Sequence, residues 1–224
     1  MTDSTLSDPK PIGDFVMPEF LAELPPPKPF DTEAFMRSEV CNDGVRYFDR
    51  YCPPAYKTFD QNHPGLASNA KSVETTLAYK FNSRGLLLSG PTNKGKTRTC
   101  WQLLRRLYGE DAVECRWYHA MDFFTQLQEC VKYGRDDAKG WISDLAWRKM
   151  VFIDDLGQEA NLKSREDWAE GWFFRFLDLR IERALPLVIT TNLTAKDMAR
   201  KQNDIRSDPF LRRVLDVCDV VRYY

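Results

Sequence analysis

The chain has 224 residues, of which 43% are hydrophobic and 29% are charged, and its formal net charge is −1. That length and composition fit one folded domain with a sizeable hydrophobic core and exclude a wholly disordered chain. The near-zero net charge argues against a nucleic-acid partner, but it averages over two unlike parts. Residues 1–54 carry 10 acidic and 5 basic side chains, a net charge of −5, whereas residues 55–224 carry a net charge of +4. We therefore expect an acidic arm followed by a mildly basic body.

The arm, residues 1–54, is also rich in proline, because ten of the thirteen prolines lie at or before Pro64. The run PPPKP at residues 25–29 excludes regular structure and favours an extended segment. After this run, a short helix opened by a capping residue is predicted over Asp31–Arg37. Two interpretations stay open: a partly disordered tail, or a docking arm whose apolar side chains bind a protein partner.

The start of the chain, MTDSTLSDPKP, lacks the basic and apolar regions of a signal peptide. The longest stretch without a charged residue is Ala184–Ala195, whose 12 residues are fewer than the roughly 20 that span a bilayer. None of the six cysteines forms a CxxC pair, so we expect reduced thiols in a cytoplasmic protein without membrane contact. Cys41, Cys52 and His63 are too few and too widely spaced to favour a zinc site.

Strand and helix signals alternate along the body, which predicts βαβ units with a parallel sheet covered by helices. The spacing between Thr97 and Asp154 leaves room for one further strand and one further helix. The predicted strands are Gly85–Ser89, Ala112–Tyr118, Met150–Ile153, Leu187–Thr191 and Val217–Tyr223. The predicted helices are Ala70–Tyr79, Thr97–Tyr108, Ala120–Tyr133 and Glu166–Arg183.

A phosphate-binding motif follows the first predicted strand. Residues 90–97 read GPTNKGKT, which fits the pattern G-x-x-x-x-G-K-[ST] between a strand and a helix. Glycines let successive backbone N–H groups face phosphate oxygens, and the helix N-terminus favours an anion. In this pattern Lys96 reaches the β- and γ-phosphates, and the hydroxyl of Thr97 binds Mg²⁺. The predicted phosphate site consists of Gly90, Pro91, Thr92, Asn93, Lys94, Gly95, Lys96 and Thr97.

Two later strands end in polar residues. The segment MVFIDDLG, residues 150–157, brings Asp154 beside the phosphate loop, where its carboxylate can hold Mg²⁺. Asp155 is a candidate to orient or deprotonate an attacking water. After LVITT, Asn192 is a candidate to hold the γ-phosphate or that water, because strand C-termini line the ligand crevice of open α/β sheets. A solvated acidic turn and a turn-forming Asn are the alternatives without a ligand.

Together these motifs resemble AAA+ ATPases, and among them the DnaC-type helicase loaders and the IstB-type transposition ATPases. GPTNKGKT resembles the family's Walker A motif, and VFIDDLG resembles its Walker B motif. FFRFLDLRIERALPLVITTNL, residues 173–193, is similar to the family's helix, Arg, Pro and sensor strand. FLRRVLD, residues 210–216, resembles the box that contains the arginine finger. The resemblance covers about residues 46–224, because RYFDRYCPPAYKTF is similar to the family's entry segment.

The resemblance implies an α/β P-loop NTPase fold of the AAA+ type, a three-layer sandwich with a parallel sheet, and a domain at residues 55–224 that binds ATP and Mg²⁺. It implies an ATP-bound homo-oligomer in which Arg213 reaches the γ-phosphate of a neighbouring subunit, with Arg180 and Arg212 as lesser candidates. Only 30 residues follow Thr194, too few for the family's helical lid, which implies weak and partner-dependent ATP hydrolysis.

The resemblance further implies a replicative helicase loader that binds a helicase through its N-terminal arm and helps to place it on single-stranded DNA. The alternative is an IstB-type transposition helper, whose DNA-binding N-terminal domain is hard to reconcile with an acidic arm. A small-molecule or nucleotide kinase is a third alternative, without a recognisable acceptor pocket or lid. Candidates for sequence-tolerant DNA contact, or else for a solvated surface, are Lys132, Arg135, Lys139, Arg148, Lys149, Lys163 and Arg165.

Overall fold

The structure, a computed structural model, describes residues 31–60, 62–157, 166–192 and 209–224. The larger of the chain's two compact units, Glu33–Tyr224, contains the sheet. The proline-rich run of the predicted arm lies outside the described residues, and so do two of the basic candidates for DNA contact. None of the described helices is long and apolar enough to cross a membrane.

Five strands form one sheet in the order β2-β3-β4-β1-β5, and all four neighbouring pairs are parallel. The carboxyl ends of all strands therefore lie at the same edge of the sheet. This arrangement confirms the predicted parallel α/β architecture. The strands are β1 (Gly85–Ser89), β2 (Cys115–His119), β3 (Met150–Leu156), β4 (Leu187–Thr191) and β5 (Cys218–Arg222).

The helices fall into two groups by the face of the sheet that they cover. Their bounds among the described residues are α1 (Thr32–Tyr51), α2 (Pro54–Lys57), α3 (Pro64–Ala67), α4 (Ala70–Leu77), α5 (Lys96–Gly109), α6 (Ala120–Tyr133), α7 (Arg135–Trp147), α8 (Glu166–Glu182) and α9 (Pro209–Val217). Alternate strand residues enter opposite cores: Leu87 packs with α6 to α9, whereas Leu86 and Leu88 pack with α1, α3, α4 and α5. The result is the predicted three-layer sandwich.

Two helices, rather than the single one predicted, lie between β2 and β3. Helix α6 has the predicted bounds, but Gly134 ends it and α7 follows at once. The pattern that identifies α7 is present in the sequence, since its buried residues are spaced as one face of a helix. They are Ala138, Ile142, Leu145 and Ala146.

Helix α1 extends well beyond the predicted Asp31–Arg37 and packs against the body. Phe48 is 4% exposed and meets Trp101 edge-on, with their ring centroids 6.2 Å apart. The hydroxyl of Tyr47 accepts a hydrogen bond of 3.0 Å from the backbone N–H of Trp117 in β2. The sequence analysis assigned residues 33–54 to the arm, but here they belong to the same compact unit as the sheet. The burial of Phe48 and the hydrogen bond of Tyr47 to β2 are the physical reasons why the body begins before residue 55.

Gly44 lets α1 approach α5 closely. A Cβ at this position would lie 2.4 Å from the carbonyl carbon of Tyr108 and 2.5 Å from its oxygen. Because the obstacle is backbone, no side-chain rotation can relieve such a contact.

We expect Gly44→Ala to lower the free energy of unfolding by about 1–3 kcal/mol, because it overpacks this contact. The measurement is the midpoint of urea unfolding. Gly140→Ala in α7 is the matched control, because nothing lies within 4 Å of its Cβ position. That control should raise stability by up to about 1 kcal/mol through helix propensity. Equal midpoints for the two variants would contradict the tight packing of α1.

Candidate functional site

The loop of residues 90–97 connects β1 to α5, as the motif predicts, and two of its glycines have left-handed backbone conformations. Gly90 has φ 141° and Gly95 has φ 87°. A Cβ on Gly90 would lie 1.9 Å from the carbonyl oxygen of Tyr223, and one on Gly95 would lie 2.5 Å from Leu66. Both positions therefore require glycine, for conformation and for space.

Lys96 closes the loop from the start of α5. Its ammonium is buried and donates hydrogen bonds to the carbonyl oxygens of Gly90 at 2.8 Å and Pro91 at 2.7 Å. It also donates to Oδ1 of Asn192 at 3.1 Å. Burial lowers the pKa of Lys96, and two neighbouring carboxylates oppose that shift. The ammonium is thus poised at the phosphate loop and can exchange its carbonyl partners for phosphate oxygens.

Asp154 is held at the centre of the site. The hydroxyl of Thr97 donates to its Oδ1 at 2.9 Å and to its Oδ2 at 3.2 Å. Thr190 donates to Oδ1 at 2.6 Å. Burial raises the pKa of Asp154, and the hydrogen bonds from Thr190 and Thr97 oppose this shift. A hydroxyl and a carboxylate side by side supply the hard oxygen ligands that Mg²⁺ prefers, so these residues fit the ion.

A bulge in β3 turns both acidic side chains toward the same crevice. Neighbouring residues of a regular strand point to opposite faces of the sheet. Here the register with β4 shifts between Ile153 and Leu156, and Asp155 has φ 59°. As a result, one ligand atom each of His119, Asp154 and Asp155 lies within 4.8 Å of the others. The predicted strand ended at Ile153, whereas the observed strand continues through the bulge.

Both carboxylate oxygens of Asp155 have a nearby nitrogen partner. Its Oδ1 accepts a hydrogen bond of 3.2 Å from Nδ2 of Asn192, and its Oδ2 lies 3.6 Å from Nε2 of His119. Its backbone N–H donates to the hydroxyl of Thr190 at 2.8 Å. Asn192 therefore links Asp155 to Lys96 across the crevice. The ends of β1, β3 and β4 come together as the strand-end argument predicts, while the chemical role of each side chain stays a prediction.

No protein-family profile matches the sequence, and no curated protein is significantly similar to it. Three solved replication proteins have similar folds. The DnaC helicase loader aligns with a TM-score of 0.59 and 15% identity, over 75% of this chain and 96% of that chain. DnaI aligns with a TM-score of 0.56 and 19% identity, over 78% of this chain and 95% of that chain. The replication initiator DnaA bound to AMPPCP and single-stranded DNA aligns with a TM-score of 0.55 and 15% identity, over 77% of this chain and 51% of that chain.

At 15–19% identity, these three alignments show a shared fold. The chain has the AAA+ P-loop fold. The resemblance to DnaC-type proteins that the sequence motifs indicate is thereby confirmed at the level of fold. The match spans nearly the whole of the DnaC and DnaI chains but only about half of DnaA.

The sequence analysis missed several residues that lie beside the loop of residues 90–97 and the ends of β3 and β4. His119 is the last residue of β2, one position beyond the predicted strand, so the strand-end argument could have found it. Its Nδ1 accepts the backbone N–H of Met121 at 3.4 Å, which leaves the proton on the Nε2 that faces Asp155. Tyr56 and His63 line a crevice of about 360 Å³ with the phosphate loop. Tyr56 lies in the segment that resembles the family's entry segment, and His63 was considered only for zinc, so the sequence analysis assigned neither residue to this crevice.

The cysteines that the sequence analysis considered for zinc are not part of a ligand cluster among the described residues. The one group of three potential ligands among them is the histidine and aspartate cluster at the end of β2 and β3. Cys41 bonds the carbonyl oxygen of Glu110, and Cys52 is buried. All six cysteines are free thiols.

The three arginine candidates differ in environment. Arg180 is 1% exposed, and its guanidinium donates to main-chain carbonyls at the ends of α7 and α8, so it cannot reach a neighbouring subunit. The prediction that Arg180 is a lesser candidate for the arginine that reaches a neighbouring subunit is therefore wrong. Its buried side chain binds main-chain carbonyls of its own subunit instead. Arg212 is exposed. Arg213 is not among the crevice-lining residues and instead contacts α8.

We expect Lys96→Ala to weaken ATP binding by about 10- to 100-fold, because a charge-assisted hydrogen bond contributes about 1.5–3 kcal/mol. Asp155→Asn should bind ATP normally but hydrolyse it about 10²- to 10⁴-fold more slowly, the usual contribution of a positioned base. The measurements are titration with a fluorescent ATP analogue and phosphate release. Lys71→Ala, an exposed lysine of α4, is the control. Normal binding by Lys96→Ala would contradict the phosphate-site prediction.

Proposed function

We propose that the chain is an ATP-dependent replicative helicase loader that binds a helicase and assists its placement on single-stranded DNA. The observation that carries this proposal is the fold shared with the DnaC helicase loader, over 96% of that chain. The convergence of Lys96, Asp154, Asp155 and Asn192 at one crevice supports ATP as the nucleotide. The structure of a DnaA neighbour with AMPPCP adds support, because that compound is an ATP analogue.

The proposed chemistry uses the crevice as follows. Residues 90–97 would hold the phosphates, and the oxygen donors Thr97 and Asp154 would hold Mg²⁺, which would neutralise phosphate charge. Asp155 orients the attacking water and accepts its proton, while Asn192 fixes the position of that carboxylate. Arg213 of a neighbouring subunit stabilises the charge that develops on the γ-phosphate, a contribution of about 10³–10⁵ in rate in other NTPases. ATP binding thereby depends on one subunit and hydrolysis on two.

The proposed helicase contact is the acidic N-terminal arm. A net charge of −5 over residues 1–54 disfavours a nucleic-acid partner for this segment and favours a protein. Because residues 33–54 pack with the body, a clean test removes only the residues before Glu33. Deletion to residue 54 would damage the AAA+ domain itself.

We expect full-length protein to recover the replicative helicase of its source organism in a pull-down, and residues 33–224 to recover at least about tenfold less, since a lost interface of only 1.4 kcal/mol has that effect. ATP-analogue binding and thermal unfolding of residues 33–224 serve as controls for an intact body. Equal recovery by the two proteins would exclude the arm as the docking site. No recovery by either would favour the transposition-helper alternative, which duplex-DNA filament formation would support.

A groove between α7 and α8 supports single-stranded DNA as the nucleic-acid partner. It encloses about 730 Å³, its floor includes Ile142 and Leu179, and Trp172 offers an aromatic face. Cations on both walls can neutralise backbone phosphates, and an aromatic ring can stack with a base of any identity. The wall cations are Arg135, Lys139, Arg175 and Arg183.

We expect the double change Arg175→Ala and Arg183→Ala to weaken binding of a labelled single-stranded oligonucleotide. The logarithm of affinity against the logarithm of salt concentration should lose about 0.7 in slope per phosphate contact removed. Fluorescence anisotropy at several salt concentrations measures both effects. The control is Arg46→Ala with Arg50→Ala, two exposed arginines of α1 on the opposite face of the sheet. An unchanged salt slope would exclude the groove.

A further inference from the structure

The side chain of Arg213 is held by two residues of the neighbouring helix α8. Its Nε lies 3.3 Å from Oδ1 of Asp178, and its guanidinium carbon lies 4.6 Å from the ring centroid of Phe174. Phe174 and Asp178 are four residues apart in α8, so one helical turn presents a ring and a carboxylate along the same stripe. Ion pairing and ring stacking together restrict the rotamers of a long, flexible side chain.

Among the described residues, the ion pair of Arg213 engages only one donor of its guanidinium. The group carries five N–H donors in a planar fork, and the pair with Asp178 engages the Nε. Within the described part of the chain, the two terminal amino groups of Arg213 make no ion pair. The side chain is only partly buried. Asp178 and Phe174 thus fix the base of the fork while its outer edge remains open to a bidentate contact with phosphate oxygens.

The other two arginines of this region lack that combination. Arg212, next along α9, is exposed and has no carboxylate or ring contact among the described residues. Arg180 is held firmly, but its fork faces carbonyl oxygens inside the same subunit. Arg213 is the one arginine of the three that is both held and open.

We propose that Asp178 and Phe174 are positioning residues that hold Arg213 ready for the phosphate group bound by a neighbouring copy of this chain. The proposal rests on the proposed function, in which Arg213 acts between subunits. Neither positioning residue touches the nucleotide; each acts through Arg213. The pre-ordered side chain loses less conformational freedom when the neighbouring phosphate group arrives, which raises the rate of the step that uses it.

The test begins with Asp178→Ala, which frees the Nε of Arg213. We expect kcat for ATP hydrolysis by the assembled protein with helicase to fall about tenfold, while KM and ATP-analogue binding stay within about twofold. Asp178→Glu should restore most of the rate, because it keeps a carboxylate that can pair with the guanidinium of Arg213. Glu182→Ala, an exposed acid of the same helix, is the matched control. Thermal unfolding of each variant reports on the helix.

Mixing subunits separates a role between subunits from simple damage to the fold. Lys96→Ala subunits cannot use ATP but still supply Arg213 to a neighbour. Adding them to Asp178→Ala subunits should therefore restore hydrolysis toward the wild-type rate per ATP-binding subunit. Arg213→Ala subunits mixed in the same way should be restored as well, and they report on the proposed function independently.

The outcomes are distinct. If Arg213→Ala hydrolyses ATP at the wild-type rate, the role between subunits fails and the positioning proposal fails with it. If Arg213→Ala is inactive and is restored by mixing while Asp178→Ala keeps the wild-type kcat, only the positioning proposal is overturned. Loss of activity in Asp178→Ala that mixing does not restore, or that Asp178→Glu shares in full, also overturns it.

Discussion

The bulge in β3 is the constraint on which the rest of the site depends. A regular strand would send the side chains of Asp154 and Asp155 to opposite faces of the sheet. The left-handed backbone at Asp155 and the register shift against β4 bring them to one crevice. Backbone strain of this kind costs on the order of 1–3 kcal/mol and persists only where surrounding contacts impose it. Thr190 supplies two such contacts. Its hydroxyl donates a hydrogen bond to the carboxylate of Asp154 and accepts one from the backbone N–H of Asp155.

Burial and charge balance one another around this bulge. Lys96 and Asp154 are both buried, and burial disfavours the charged form of each side chain. Burial therefore lowers the pKa of Lys96 and raises the pKa of Asp154. Asn192 connects a cation to an anion. Its amide oxygen accepts a hydrogen bond from the ammonium of Lys96, and its amide nitrogen donates one to the carboxylate of Asp155. The loop of residues 90–97, the end of β3 and the end of β4 therefore form one hydrogen-bonded unit. Removing one member leaves buried polar groups of the others without partners.

Much of the fold and part of the site could be predicted from the sequence. The strands at Gly85–Ser89 and Leu187–Thr191 have exactly the predicted bounds, because a buried parallel strand is a continuous apolar run. Helix α7 was missed although its buried residues are regularly spaced. Helix α1 was predicted too short, because only two of its residues, Gly44 and Phe48, are buried and its apolar pattern is weak. His119 was missed by one residue. Contacts between distant segments, such as Thr190 with Asp154, depend on the bulge, which no local pattern signals.

The contact between Tyr47 and the backbone of Trp117 has a consequence for solubility. Strand β2 is at the edge of the sheet, and an edge strand offers unpaired N–H and C=O groups to any passing strand. The tyrosine hydroxyl accepts a hydrogen bond from one of those N–H groups. That N–H is therefore not free to pair with a strand of another molecule. A shortened protein that lacks α1 would leave this N–H of β2 without its partner. Self-association of that protein would then have to be measured separately from its loss of partner binding.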